Sequence, residues 1–111
     1  MSEKKIRGGA LVARALKDKG IENVFTLSGG FCNPALEGFM ECQINVINCP
    51  HEQIAGHLAD GHTRITRQPS VCIVGPEGFA NAVPSMMEAW GERSPVIFIT
   101  GSSSLKRQGS G

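Results

Sequence analysis

Hydrophobic and polar positions along this chain alternate between a helical and a strand-like period. Apolar residues recur at helical spacing from Gly8 to Gly20, and an apolar, β-branched run that ends in a double glycine follows over residues 21–30. The same alternation continues along the chain, so that the pattern predicts four helices and four strands. The predicted helices cover residues 8–20, 33–42, 50–67 and 79–92, and the predicted strands cover 21–30, 44–48, 70–75 and 95–101.

Strands that alternate with helices are typical of βαβ units and of a parallel sheet. The four strands are nearly continuous apolar runs, as expected where helices cover both faces of a sheet. We therefore predict a three-layer α/β fold, an incomplete flavodoxin-like domain whose parallel four-stranded sheet has the order 2-1-3-4. Residues 1–111 are expected to form this single partial domain, with a polar tail over residues 102–111.

The fourth strand is expected to lie at an exposed edge of the sheet. Exposed edges invite pairing with another chain, so we expect a homodimer or a higher oligomer. Met86, Met87 and Trp90 share the last predicted helix, and such residues usually belong to a core or to an interface.

Composition and charge narrow the class of protein. The 111 residues are 41% hydrophobic and 19% charged, which is typical of a soluble globular domain rather than a disordered chain. A net charge of +1 gives no field that would gather nucleic acid, and no apolar run approaches the roughly 20 residues of a membrane span. Because no signal-peptide pattern is found either, we expect a cytoplasmic protein with neither nucleic acid nor a membrane as a partner.

The sequence predicts no metal site. His51-Glu52 begins like a zinc-binding HExxH motif, but the next histidine, His57, lies six residues after His51 and on a different face of the predicted helix. The cysteines show neither a CxxC pair nor metal-ligand spacing, and we interpret them as reduced and structural. They are Cys32, Cys42, Cys49 and Cys72.

Ligands of parallel α/β sheets bind beyond the carboxyl ends of the strands. The segments at those ends are 28–30, 48–52, 75–78 and 100–102, and all but the second are rich in glycine. Glycine suits a close approach of the backbone to a ligand. The glycine loops complete neither a P-loop nor a GxGxxG fingerprint, so they do not indicate a nucleotide site.

Glu52 has two interpretations from the local sequence. With Pro50 at the first helical position, Glu52 falls in the first turn, where a carboxylate complements the helix dipole. The apolar neighbours Ile54, Ala55 and Leu58 favour the other interpretation, a carboxyl group that takes part in proton transfer in an apolar crevice. The local sequence leaves both interpretations open.

Four segments together resemble the amino-terminal, pyrimidine-binding (PYR) domain of thiamine-diphosphate-dependent enzymes, in particular their acetolactate-synthase-like branch. The resemblance covers residues 7–109, and its most specific parts are HEQ-A---A-G--R over 51–64 and SPV--ITG over 94–101. The segments are GGALVARALKDKGIENVFTLSGG, NVINCPHEQIAGHLADGHTR, SVCIVGPEGFANAV and SPVIFITGSSSLKRQGSG.

The resemblance implies a catalytic role for Glu52. In the family, the glutamate at this position hydrogen-bonds a ring nitrogen of the cofactor's aminopyrimidine, which activates the cofactor for attack on a 2-oxo acid or aldehyde carbonyl. Asn81 matches a family asparagine at the head of a helix, and a bond to local backbone is an equally open role for it. The cofactor-binding residues that the resemblance implies beside Glu52 are Gly29, Gly30, Gly75, Pro76, Gly78 and Asn81.

The family binds the cofactor's diphosphate through Mg²⁺ in a second domain with a Gly-Asp-Gly…Asn-Asn pattern, and no segment here matches that pattern. The resemblance therefore implies that this chain holds only the pyrimidine half of thiamine diphosphate, with Mg²⁺ on a partner domain. Ala80 stands where the family usually has threonine, which indicates an altered substrate or relaxed selection. Two functions stay open: part of a lyase or synthase that needs such a partner, and a truncated, non-catalytic relative that serves as an oligomerising binding module.

Overall fold

The computed structural model describes residues 5–109, and a four-stranded parallel sheet forms its centre. The strands are Asn23–Leu27 (β1), Asn45–Asn48 (β2), Ser70–Val74 (β3) and Val96–Thr100 (β4). The helices are Gly8–Asp18 (α1), Asn33–Glu41 (α2), Glu52–Thr66 (α3) and Pro76–Gly91 (α4), and the 3₁₀ turn Leu105–Arg107 lies in the predicted polar tail.

The strand order is β2-β1-β3-β4, which confirms the predicted order. Val24 of β1 pairs with Val46 of β2 on one side and with Val71 of β3 on the other. Val71 in turn pairs with Ile97 of β4. The two central strands are buried nearly throughout, whereas β2 and β4 are partly exposed because each has a neighbour on one side only among the described residues.

Helices cover both faces of the sheet, as predicted for a three-layer fold. On one face, side chains of α1 and α2 such as Ala13 and Phe39 pack with Val24 in one buried cluster. On the other face, α3 and α4 contribute small residues, so that Ala59 and Ala82 lie against the sheet in a second cluster. No helix among residues 5–109 is long and apolar enough to cross a membrane.

Two helices begin at other residues than predicted. The third predicted helix starts at Glu52 rather than at Pro50, because His51 is extended (φ −157°, ψ 149°) and caps the helix. The fourth starts at Pro76 rather than at Phe79, so the predicted glycine turn over 75–78 is the first turn of α4. Proline suits the first helical position because its fixed φ is helical and its missing N–H has no intrahelical partner there.

Three of the four cysteines are buried, and all four are free. Burial raises the pKa of the Cys32 and Cys49 thiols, and it raises the pKa of Cys72 to about 12. A thiol that stays protonated at neutral pH is a poor nucleophile and a poor metal ligand. Cys32, Cys49 and Cys72 therefore act as small buried hydrophobic residues, as predicted for them, whereas Cys42 is half-buried.

Candidate functional site

Hydrogen bonds fix the loops that follow β1 and β2 at the carboxyl edge of the sheet. The backbone N–H of Cys49 donates to the carbonyl oxygen of Thr26 over 2.6 Å, which extends the β1–β2 ladder past the end of β2. The N–H of Ser28 donates to Oδ1 of Asn48 over 3.2 Å. Together these bonds fix the direction in which the chain leaves β2 towards α3.

His51 ends this loop and caps α3. Its Nδ1 accepts a hydrogen bond of 3.0 Å from the backbone N–H of Gln53, one of the N–H groups that has no partner within the helix. Glu52 is consequently the first residue of α3, as the structural interpretation of its sequence requires. Its side chain is only 16% exposed and is directed towards α4.

The two oxygens of the Glu52 carboxyl group have different surroundings. Oε2 accepts a hydrogen bond of 3.3 Å from Nδ2 of Asn81, and Nε2 of His51 lies 3.9 Å from the same oxygen. Oε1 receives no hydrogen bond from residues 5–109 and lies beside Gly78. Asn81 therefore holds one oxygen, and the other makes no hydrogen bond within residues 5–109.

Gly78 makes room for this carboxyl group. A Cβ atom built at Gly78 would overlap Oε1 and lie 2.5 Å from Cγ and 2.7 Å from Cδ of Glu52. Because Gly78 belongs to the first turn of α4 and Glu52 to the first turn of α3, two helix N-termini face the carboxyl group. The partial positive charge at each helix N-terminus favours an anionic group in this position.

The prediction of an apolar crevice around Glu52 is wrong for two of the three apolar residues on which it was based. Ala55 is buried in the cluster on the sheet face, but Ile54 and Leu58 are 42% and 45% exposed. The restricted exposure of Glu52 comes instead from its contacts with α4, through Asn81 and the bare backbone of Gly78. The crossing of α3 and α4 thus encloses this side chain.

The structure brings together three of the predicted site residues: Glu52, Gly78 and Asn81. Asn81 lies in the second turn of α4 and bonds Glu52, so its alternative role as a helix-start residue bonded to local backbone is wrong. The other predicted residues lie at the same edge of the sheet without a contact to Glu52, and added Cβ atoms at Gly29 and Gly30 would meet no atom within 4 Å. They are Gly75 and Pro76 at the start of α4 and Gly29 and Gly30 after β1.

His51 was not among the residues predicted for this site. The preferred N-cap residues are serine, threonine, aspartate and asparagine. Because histidine is not one of them, N-cap preferences could not identify His51 as the residue that caps α3. The only available signal was its position directly before the candidate glutamate. Within residues 5–109, no three His, Cys, Asp or Glu side chains are placed to hold a metal ion together.

Comparison with known proteins agrees with this fold. Residues 6–111 match the family described as thiamine pyrophosphate enzyme, N-terminal TPP binding domain. The acetolactate synthase large subunit IlvG of Mycobacterium tuberculosis is 38% identical over 108 residues, which are 96% of this chain and 20% of that protein. The 2-hydroxyacyl-CoA lyase 2 of Bos taurus is 36% identical over 106 residues, which are 94% of this chain and 17% of that protein.

A solved structure described as a thiamin diphosphate-dependent enzyme from Mycobacterium smegmatis has the same fold. It superposes on 93% of this chain with a TM-score of 0.82 and 23% identity, and this chain covers 20% of it. The chain thus spans about one fifth of the length of these relatives. It belongs to the thiamine pyrophosphate enzyme family and corresponds to the N-terminal TPP-binding domain found in acetolactate synthases and 2-hydroxyacyl-CoA lyases.

Proposed function

We propose that this chain is the pyrimidine-binding part of a thiamine-diphosphate-dependent lyase or transferase, with Glu52 as its catalytic residue. One observation carries the proposal: Asn81 holds Oε2 of Glu52, while Oε1 lies free against the bare backbone of Gly78. By analogy with the acetolactate synthases that it resembles, the reaction is the decarboxylation or carboligation of a 2-oxo acid.

The residues at this edge fit the aminopyrimidine ring of thiamine diphosphate. A flat heteroaromatic ring needs a narrow space without side chains and a carboxyl group that can meet a ring nitrogen. A methyl group at position 78 would overlap Glu52, so glycine lets the carboxyl group lie here with no side chain of residue 78 beside Oε1. Gly29 and Gly30 leave the loop after β1 equally free of side chains.

Bound thiamine diphosphate supplies the thiazolium carbon that adds to a substrate carbonyl. The contribution of this chain is a proton shared between Oε1 of Glu52 and a ring nitrogen of the pyrimidine. Asn81 restrains rotation of the carboxyl plane through its bond to Oε2. A catalytic group that is held in this way loses little conformational entropy when the ligand arrives.

A partner domain that holds the diphosphate and Mg²⁺ is part of this proposal. The chain spans only 20% of the length of IlvG, so most of a complete active site would come from elsewhere. The outer face of α4 offers a surface for such a partner or for a second copy of the chain. Its exposed apolar residues recur every three or four positions; they are Phe79, Val83, Met87 and Trp90.

The same apolar face favours a second candidate function, an oligomerising binding module without catalysis. Met87 and Trp90 are 65% and 83% exposed, which is unusual for large apolar side chains unless they meet a partner. This module would keep the fold and the helix face but would not need to bind pyrimidine. Pyrimidine binding therefore distinguishes the two functions.

An NMR titration of this chain with 4-amino-2-methylpyrimidine, the ring of the cofactor, tests the proposal. We expect saturable changes in the backbone amide signals of Glu52, Gly78 and Asn81. The changes should be lost in Glu52→Ala and kept in Glu41→Ala, since Glu41 is an exposed residue at the end of α2. Equal shifts in both variants, or none in the parent chain, would contradict the proposed function.

A further inference from the structure

The residue that caps α3 carries a second polar atom that the cap does not use. His51 accepts the N–H of Gln53 through Nδ1, which satisfies the cap. Serine, a more usual cap residue, would do the same with its single oxygen. In histidine, Nε2 remains available on the far side of the ring, and it lies 3.9 Å from Oε2 of Glu52.

The cap determines which nitrogen of the neutral His51 ring carries the proton. Because Nδ1 accepts a hydrogen bond, the proton of the neutral ring is on Nε2. Nε2 is therefore an N–H group that lies 3.9 Å from Oε2 of Glu52, within electrostatic reach but too far for a direct hydrogen bond. Nδ2 of Asn81 donates a hydrogen bond of 3.3 Å to the same oxygen.

We propose that His51 is a positioning residue: the attraction between its Nε2–H and Oε2 of Glu52 adds to the hydrogen bond from Asn81, and together they assign the exchangeable proton of this carboxyl group to Oε1. A carboxyl oxygen that carries a proton is a weaker hydrogen-bond acceptor, so the bond from Asn81 and the nearby N–H of His51 both favour the unprotonated form of Oε2. Oε1 has no hydrogen-bond donor among residues 5–109 and lies beside Gly78. This inference rests on the proposed function only for the identity of the ring nitrogen that meets Oε1.

The proposal fixes which oxygen of Glu52 presents a proton to a ligand. Without the N–H groups of Asn81 and His51, either oxygen could carry the proton. With both groups in place, the protonated carboxyl group presents Oε1–H. His51 touches neither ligand nor substrate in this account, since it acts through Glu52.

Two variants separate the cap from the positioning role. His51→Ser keeps an acceptor for the Gln53 N–H but has no second nitrogen, and His51→Ala has neither. We expect His51→Ala to lower the midpoint of thermal unfolding by about 4 to 8 °C, the effect of a lost cap in a domain of this size. We expect His51→Ser to unfold within about 2 °C of the parent chain, because the cap is kept.

The decisive readout is NMR of the chain without cofactor, so that a failure of cofactor binding cannot affect it. Long-range ¹H–¹⁵N spectra should show the neutral His51 ring with its proton on Nε2. The ¹³C signal of the Glu52 carboxyl carbon should move in His51→Ser as well as in His51→Ala. A ring proton on Nδ1, or a Glu52 signal that His51→Ser leaves in place, would overturn the inference, and both can be observed even if His51→Ala fails to fold.

Discussion

Glu52 shows how a first-turn carboxylate can be both a structural and a functional group. Its position at the start of α3 satisfies the helix dipole, as the structural interpretation of the sequence requires. The same position directs it at the first two turns of α4, where Gly78 and Asn81 receive it. The two interpretations of the sequence therefore describe one side chain in one conformation.

Gly78→Ala tests whether Glu52 needs this space. The added methyl group would overlap the Glu52 side chain, so we expect the carboxyl group to be displaced and the affinity for thiamine diphosphate to fall at least about tenfold. Calorimetric titration measures the affinity. Gly91→Ala, at the other end of α4, is the control because a Cβ there meets no atom within 4 Å. Unchanged affinity in Gly78→Ala would refute the role given to this glycine.

The ion pair between Asp60 and Arg64 should make the stability of the folded chain depend on pH. Burial alone would raise its pKa, but hydrogen bonds from Arg64 and Ser94 and the charge of Arg64 outweigh burial and hold the pKa below its usual value. Two bonds of 3.1 and 2.9 Å join Arg64 to this carboxyl group, whose side chain is 5% exposed. The ionised Asp60 therefore stabilises the folded chain fully above the ordinary carboxyl pKa of about 3.9. This contribution is lost as the pH falls through the lowered pKa that Asp60 has in the folded chain.

Asp60→Asn should lower the free energy of unfolding by about 1 to 3 kcal/mol at pH 7, because it leaves Arg64 without its buried partner. The difference from the parent chain should shrink as the pH falls towards 2. Urea unfolding at both pH values measures it, with the exposed Asp18→Asn as a control. A difference of the same size at both pH values would show that the ion pair is not its source.

At the scale of elements, α3 and α4 pack with almost no space between them at Gly56. A Cβ there would overlap Oγ of Ser85 and lie 2.6 Å from its Cβ. This close approach brings the first turns of the two helices together, which is what places Glu52 against Gly78. The geometry of the candidate site thus depends on a glycine four residues along the helix from Glu52.

We expect Gly56→Ala to lower the free energy of unfolding by about 1 to 3 kcal/mol through overpacking, although alanine is the better helix former. Gly61→Ala on the same helix is a matched control, since a Cβ there meets no atom within 4 Å. It should stabilise the chain by about 0.5 to 1 kcal/mol. Chemical unfolding of both variants distinguishes packing from propensity, and two changes of the same sign would contradict this packing.

The sheet was predictable because buried parallel strands leave a strong signal. The apolar runs around Val24 and Val71 have no alternation, and the intervening helical periods fix the βαβ connections, so the strand order followed from general rules. Helix starts were less predictable. Pro50 and Pro76 both suit a first helical position, but only Pro76 occupies one, because His51 takes the cap of α3.

The candidate site was predictable only in part. The rule that ligands bind at the carboxyl ends of strands placed Glu52 and Gly78 at one edge of the sheet. The bond between Asn81 and Glu52 could not be predicted, because it depends on how closely two helices cross. The expected apolar crevice was wrong because Ile54 and Leu58 occupy exposed positions of α3, which their apolar character alone does not reveal.

At the scale of the whole molecule, the apolar face of α4 and the edge of β4, which pairs with no further strand among residues 5–109, predict self-association. We expect sedimentation velocity at micromolar concentration to show a dimer or a larger species. Met87→Ser should shift the chain towards the monomer, whereas Met40→Ser on α2 should not, although both methionines are 65% exposed. A parent chain that sediments as a monomer would contradict this prediction.

The central claim is that this chain holds the pyrimidine of thiamine diphosphate through Glu52. The most direct measurement is a calorimetric titration of the chain with thiamine diphosphate and Mg²⁺, beside Glu52→Ala and the control Glu41→Ala. We predict saturable binding that weakens at least about tenfold in Glu52→Ala and is unchanged in Glu41→Ala. Equal affinity in all three proteins, or no binding to the parent chain, would contradict the claim.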